Sequence, residues 1–420
     1  MAFHPRERSP WRRRMSRREA LRLMAGTAAA GGLLAGCGSG AGSSSSASRV
    51  VIGTREDPVK QPLFDDNPMI DSGLEPEKGP LRLYNWADYI YTRVLKDFEK
   101  EFGVEVELTT FYNLEEATRK LRTGKVDFDV FVPTAEIIPK FVAGKLLQPL
   151  NHDYLPNLKN VWPMLADPYY DEGSRYTIPY TVYLTGIGWR TDKVDADVAA
   201  MENPWEAFWN PEYKGIAGLY DDYRETIGVG MYKDGITDIN NAKPDDLKAA
   251  QNNLVELTDL VDIRYSIDGA YAKLPEGVFG IHHAWSGDMV YAPYYMPKGD
   301  DPSVLRYVWP PRAQGGAGGY VSNDNFAVLK GAEHPVLAHM FLNYMLDDKV
   351  AIKNFGWNGY QPPLKAMDPS TLVSDGTIRE NLASTVIEQG DFDMGQTPQQ
   401  LTPEEDKRWL DAWSGVQQGG

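Results

Sequence analysis

From Leu81 onward the chain alternates between two hydrophobic periods. Leu81 and Leu83 with the aromatics after them predict a strand, while Val94, Leu95, Phe98 and Phe102 return at helical spacing until Gly103 stops them. Val104, Val106 and Leu108 alternate with Glu105 and Glu107, the pattern of a half-buried strand. Leu114 to Leu121 is helical again, ended by Gly124, and Phe128 to Val132 is a buried strand ended by Pro133. Farther on, Ile178 to Trp189, Ile216 to Tyr220 and Val278 to Trp285 are strand-like, and Pro335 to Phe355 predicts one long helical tract through Val336, Met340, Phe341, Met345 and Leu346. Strand and helix in alternation define an α/β sheet, and no solenoid-type repeat interrupts it. The pattern predicts two α/β lobes with crossovers.

Sheets of this kind bind ligands at the carboxyl ends of their strands. The segment YNWADY, residues 84–89, follows the first predicted strand and interleaves Tyr84, Trp86 and Tyr89 with Asp88. Its side chains are candidates for a cleft, with an aromatic cluster under a loop as the other reading.

The 420 residues carry a formal net charge of −16, with 42% hydrophobic and 11% aromatic residues, an ordinary globular composition. The beginning of the chain differs from the rest. Arg12 to Arg14 and Arg17-Arg18 lead into an Ala/Gly-rich apolar run that ends at Cys37 and is too short to span a bilayer. This predicts a twin-arginine-type signal over 1–36. Cys37, the only cysteine, resembles the acylated residue of a bacterial lipobox, the other reading being an incidental thiol. Lipidation of Cys37, a tether and extended arm over 37–79, and a folded body from about Leu81 follow. Eight Arg against Glu7 and Glu19 in residues 1–36 leave residues 37–420 at −22. Such a charge repels phosphate backbones and favours cationic ligands, so nucleic acid is not an expected partner.

No Walker phosphate loop, HExxH or nucleophile elbow is present, and one cysteine allows neither an internal disulfide nor a thiolate zinc site. No cofactor, metal or catalytic residue is expected. His282-His283 is the one histidine pair, and adjacent strand residues point to opposite faces. Asp222 and Glu225 open a predicted helix three residues apart, where they could form a capping box or face a cleft. Asp324 could make an Asx-turn, and Trp285 could be core.

An ordered series of motifs resembles the spermidine/putrescine-binding proteins of polyamine ABC transporters: YNWADY, DFDVFVPT, YTIPYT, NPEYKG with DDYRE, AWSGD, and Gly359-Tyr360-Gln361-Pro362. The resemblance implies a type II periplasmic-binding-protein fold: two α/β lobes, each a mixed sheet flanked by helices, with the ligand cleft between them. The lobes would comprise 80–187 plus 322–366 and 188–321 plus 367–420. It also implies ligand contacts from Trp86, Asp88, Tyr89 and Thr134 in the first lobe. Asp222 and Glu225 would hold an ammonium, Trp285 would stack on methylenes, Asp324 would hold an amine near the hinge, and Tyr360 would close one end. The implied partners are a polyamine and a membrane permease, with the protein a monomer anchored to the outer face of the cytoplasmic membrane. Two departures change the expected site: Ser322 stands where the family has Trp, and Glu136 lies where an aromatic is common after Val-Pro. One aromatic fewer and a further carboxylate are therefore expected, with the reach of Glu136 and Asp393 into the cleft left open. A sugar- or peptide-binding lipoprotein and an extracellular glycosidase are the rival readings.

If Cys37 carries the anchor, Cys37→Ala releases the protein from the membrane fraction into the medium or periplasm. Fractionation and immunoblotting check this, and an unchanged membrane fraction would contradict it.

Overall fold

Leu81 and Leu83 set β1 (Leu81–Trp86) between two parallel partners, β2 (Val106–Phe111) and β3 (Val130–Phe131), where both of its faces are covered. Between β1 and β2, α1 (Thr92–Phe102) turns Val94, Leu95 and Phe98 inward. It ends at Gly103, whose φ of 70° lets its N–H donate back to the Glu99 carbonyl. The next helix, α2 (Leu114–Arg122), starts where the Asn113 side chain accepts from the Glu116 N–H. The computed structural model describes residues 50–124, 126–313 and 315–419, so the signal segment, Cys37 and the tether to residue 49 lie outside the described residues.

The long strand β4 (Thr177–Arg190) joins two halves of one sheet. Its first part pairs antiparallel with β9 (Tyr320–Val328) up to Thr185, and its last part pairs with β7 (Ile281–Trp285) and β8 (Leu305–Val308). Beyond β7 lie β5 (Ala217–Leu219) and β6 (Arg264–Tyr265), β5 being parallel to both β7 and β6. Among the described residues the order is β2-β1-β3-β9-β4-β7-β5-β6, with β8 attached to β4. The mixed sheets of the two halves are therefore hydrogen-bonded into one through β4 and β9.

Helices flank this sheet. In the second half, α3 (Tyr223–Lys233) follows β5, α4 (Pro244–Val261) leads to β6, and α5 (Ser286–Tyr291) follows β7. The tract predicted as one helix from Pro335 is two, α6 (Pro335–Met345) and α7 (Asp348–Asn358). Asp347 breaks it: its backbone is extended and its carboxylate accepts from the N–H groups of Lys349 and Val350, making it the N-cap of α7. The strand predicted from Val278 begins only at Ile281, since Gly277 has φ 79° and Val278 is exposed. The C-terminal helix α8 (Pro403–Gly419) buries Trp409, Trp413 and Val416 in the core of the second half. Among the described residues no helix is long and apolar enough to cross a membrane.

Residues 50–80 contain almost no regular structure, as an extended arm should, yet they are fastened to the body ahead of Leu81. The Gln61 amide donates to the Tyr170 carbonyl at 2.8 Å, and the Asn67 amide donates to the Leu147 carbonyl at 2.7 Å. The Glu77 carboxylate accepts from the N–H groups of Val336 (3.2 Å) and Leu337 (2.9 Å). The arm thus supplies the N-terminal cap that α6 lacks, because Pro335 and His334 offer the helix no side-chain acceptor. A segment held by polar side chains reaching to backbone carries no hydrophobic period, which is why its docking is invisible in the sequence pattern.

Glu77→Ala should leave two helix N–H groups without an acceptor and lower stability by about 0.5 to 2 kcal/mol. Denaturant unfolding checks this, and ligand affinity should be unchanged.

Candidate functional site

The two parallel pairs β1/β3 and β5/β7, one from each half, end on the same cleft, and the loops after them carry its side chains. The cleft encloses about 380 Å³. Trp86 closes β1 and packs on Phe111 at 4.6 Å, with its indole N–H buried and without an acceptor. Asp88 sits at the exposed rim with φ 57°, and this turn brings Tyr89 inward. Tyr89 donates its hydroxyl to the Asp324 carboxylate at 2.5 Å, while its ring meets Tyr360 edge-on at 4.8 Å. After β3, the Thr134 hydroxyl donates to Glu136 at 2.5 Å.

From the second half, Asp222 precedes α3 and accepts from the Glu225 N–H at 3.0 Å, so the cap exists. Only half of a capping box forms, however. The Glu225 carboxylate turns away and accepts from the Trp285 indole N–H at 2.8 Å and the Thr185 hydroxyl at 3.1 Å through one oxygen. Its other oxygen, Oε2, is buried and has no partner. Trp285 is half-buried and stacks on Tyr220 at 4.0 Å, which leaves it facing the cleft rather than the core. Asp324 makes no Asx-turn: it lies inside β9, opposite Thr181, with Oδ1 buried and unpartnered.

All nine residues singled out as ligand contacts line this one cleft: Trp86, Asp88, Tyr89, Thr134, Asp222, Glu225, Trp285, Asp324 and Tyr360. Glu136 lines it too, whereas Asp393 lies on the surface, paired with Arg55 at 3.0 Å. Two contributors were not singled out. Asp288 accepts from the hydroxyls of Tyr360 (2.7 Å) and Tyr220 (2.9 Å), and it sits in the first turn after β7, as Glu225 does after β5. The repeated strand–acidic-turn pattern in AWSGD is the signal that could have found it. Gly287 makes this packing possible, since a Cβ there would lie 2.5 Å from the Tyr360 ring. The second is Tyr183, the cross-strand partner of Ser322, which puts its ring into the cleft on the side where Ser322 leaves space. The expected loss of an aromatic at Ser322 is thus answered from the neighbouring strand.

Five carboxyls line the cleft, those of Glu225, Asp288 and Asp324 buried and those of Glu136 and Asp222 half-buried, and none forms an ion pair with a Lys or Arg among the described residues. The guanidinium whose charge acts on Glu136 and Asp222, that of Arg224, is turned to the carbonyls of Ile239 (3.1 Å) and Gln399 (3.3 Å) and lies over the Trp409 ring. Burial therefore pushes these carboxyls up: Asp222 to about 6, Asp288 and Asp324 to about 7, and Glu225 to about 8, the last helped by the neighbouring Asp222 charge. Glu136 is raised for the same reason. His283 comes within 3.6 Å of Glu225, but burial holds its imidazole well below the ordinary value, so it is neutral and no ion pair forms. His282 and His283 point to opposite faces of β7, and among the described residues no group of His, Cys, Asp and Glu is placed to hold a metal ion.

Acids without a Lys or Arg ion-pair partner among the described residues, set among Trp and Tyr faces in a cleft shared by two α/β halves, define a protein that captures a ligand. The chain belongs to the bacterial extracellular solute-binding protein family, which it matches over residues 93–381. It is 28% identical over 288 residues to the spermidine/putrescine-binding periplasmic protein of Escherichia coli, covering 68% of this chain and 78% of that one. It is 29% identical over 314 residues to the putrescine/agmatine-binding protein of Pseudomonas aeruginosa, covering 72% of this chain and 82% of that one. A solved structure of the spermidine/putrescine ABC transporter substrate-binding protein PotD from Streptococcus pneumoniae shares the type II periplasmic-binding-protein fold. It superposes with a TM-score of 0.65 at 24% identity, over 81% of this chain and 98% of that one.

Each raised carboxyl holds its proton more tightly in the empty folded protein than in the unfolded chain, where carboxylates titrate near about 4. Stability is therefore lost as pH rises through the folded values of about 7 and 8. The neutral histidines act oppositely, but only below about pH 6.5, their unfolded value. The melting temperature of the ligand-free protein should fall between about pH 6.5 and 8.5, and fall less in Glu225→Gln and Asp288→Asn. Scanning calorimetry across that range checks this, and a flat wild-type profile would contradict it.

Proposed function

We propose that the protein is the extracytoplasmic solute-binding component of an ABC importer, capturing a polyamine and delivering it to a membrane permease. The observation that carries this reading is the set of five buried or half-buried carboxyls that form no ion pair with a Lys or Arg among the described residues, interleaved with aromatic faces. A polyamine is a string of ammonium groups separated by methylenes, and it matches that alternation. An ammonium leaves water at little net cost only where a carboxylate meets it. Charge-assisted hydrogen bonds contribute about 1.5 to 3 kcal/mol each, a cation over a Trp or Tyr face about 0.5 to 2, and each buried methylene about 0.8. The similar Escherichia coli and Pseudomonas aeruginosa proteins are named for spermidine, putrescine and agmatine, which are cations of this kind.

In this reading Asp222 and Glu225 take one ammonium, Asp324 and Tyr89 take another near the hinge, Asp288 and Tyr360 close one end, and Trp86 and Trp285 cover the methylenes. The lobes are 80–187 with 322–366 and 188–321 with 367–420. They close by a hinge movement at β4 and β9, the strands both halves share. The closed monomer presents both lobes to the permease. Twin-arginine export and acylation of Cys37 hold it at the outer face of the cytoplasmic membrane.

Asp222→Asn and Glu225→Gln are expected to lower polyamine affinity about tenfold or more, with little loss of melting temperature, because Asn still caps α3. Titration calorimetry of the exported chain with putrescine, spermidine and an uncharged sugar, at low and high salt, checks this. Polyamine binding should weaken as salt rises. Sugar binding without polyamine binding would favour the rival lipoprotein, and turnover of chromogenic glycosides would favour the glycosidase.

A further inference from the structure

We propose that Glu136 is a specificity residue that takes an additional cationic group, so that the cleft selects ligands with three or more cations over diamines; this rests on the polyamine reading above. Three buried carboxylate oxygens in the cleft lack any hydrogen-bond partner: Glu136 Oε2, Glu225 Oε2 and Asp324 Oδ1. They come from three separate elements, the turn after β3, the first turn of α3, and β9. Glu225 and Asp324 are each only 6% exposed. Each such oxygen would be costly to leave without a donor in a closed cleft.

Glu136 acts on both of the others. The residue that holds it, Thr134, bridges through its backbone to Asp324, and the Glu136 charge bears on both Asp324 and Glu225. Its second oxygen is held by the Thr134 hydroxyl at 2.5 Å, which aims the carboxylate without neutralising it. Arg224, whose charge bears on Glu136, turns its terminal N–H groups to the carbonyls of Ile239 and Gln399 and the Asn240 amide oxygen, lies over the Trp409 ring, and forms no ion pair with Glu136. With one ammonium on Asp222 and Glu225 and another on Asp324, Glu136 would be left without a cation of its own in a low-dielectric cleft. A third cation along the same chain removes that cost, and the repulsion from Glu136 that a diamine leaves in place disfavours the shorter ligand.

The probes are putrescine, spermidine and spermine, with two, three and four amines, titrated into the exported wild-type chain and into Glu136→Gln. Wild type should bind spermidine or spermine about tenfold or more tightly than putrescine. In Glu136→Gln that preference should collapse, through loss of triamine affinity of about tenfold with putrescine affinity changed less than about threefold. Glu136→Ser serves as a second variant, and melting curves confirm that both fold. Polyamine binding with an unaltered triamine-to-diamine ratio in the variants would overturn the role of Glu136. Failure of wild type to bind any of the three would overturn the polyamine reading itself.

Discussion

The cost of removing carboxylates from water without a counter-charge governs this structure. Glu225, Asp288 and Asp324 are buried where each could be ionised only at the expense of lost hydration. What surrounds them positions rather than neutralises. Tyr89, Tyr220 and Tyr360 donate hydroxyls, Trp285 donates its indole N–H, and Thr134 and Thr185 donate from the strands and turns. A lysine in any of these places would satisfy the acid permanently and close the cleft to a cationic solute. The empty site is thus less stable than it could be, and the missing stability is available to a ligand as binding energy.

The fold makes that arrangement possible by bringing strand ends from two halves to one place. β4 pairs with β9 in its first part and with β7 and β8 in its last, so the sheet is continuous from one half to the other. Asp222 and Glu225, after β5, lie at the N-terminus of α3, whose dipole favours their charged forms, and Asp288, after β7, lies in the first turn of α5. Aromatics fill the space between acids with apolar faces that need no hydrogen-bond partner. The same tyrosines do both jobs, with the ring on one side and the hydroxyl on the other.

Much of this was legible along the chain. The alternation of periods marks β1, α1, β2 and α2 closely, because each buries a face whose spacing is local: Val94, Leu95 and Phe98 on α1, for example. The tract after Pro335 misled because Asp347 interrupts the helix by capping, while the apolar residues on either side continue in phase. Residues 50–80 looked unattached because Gln61, Asn67 and Glu77 dock by single polar contacts to distant backbone, which leave no period. Asp222 and Glu225 stood out as a capping pair, but that Glu225 abandons the cap for Trp285 depends on a strand sixty residues away in sequence.

The sequence by itself determined which side chains are available and the local elements that carry them: aromatics and acids at strand ends, a net charge that suits cations, and an α/β order of elements. The tertiary structure decided which of those acids share a cleft and which do not. Glu136 and Asp393 are both acids beside apolar residues, yet one is buried against Thr134 and the other sits on the surface against Arg55. It also decided that Tyr183 stands in for the aromatic missing at Ser322 and that Asp288 meets Tyr360 across the cleft. The reason is physical. Periodicity reports burial of a residue relative to its own element, whereas desolvation and charge depend on neighbours brought together only by strand pairing and crossover.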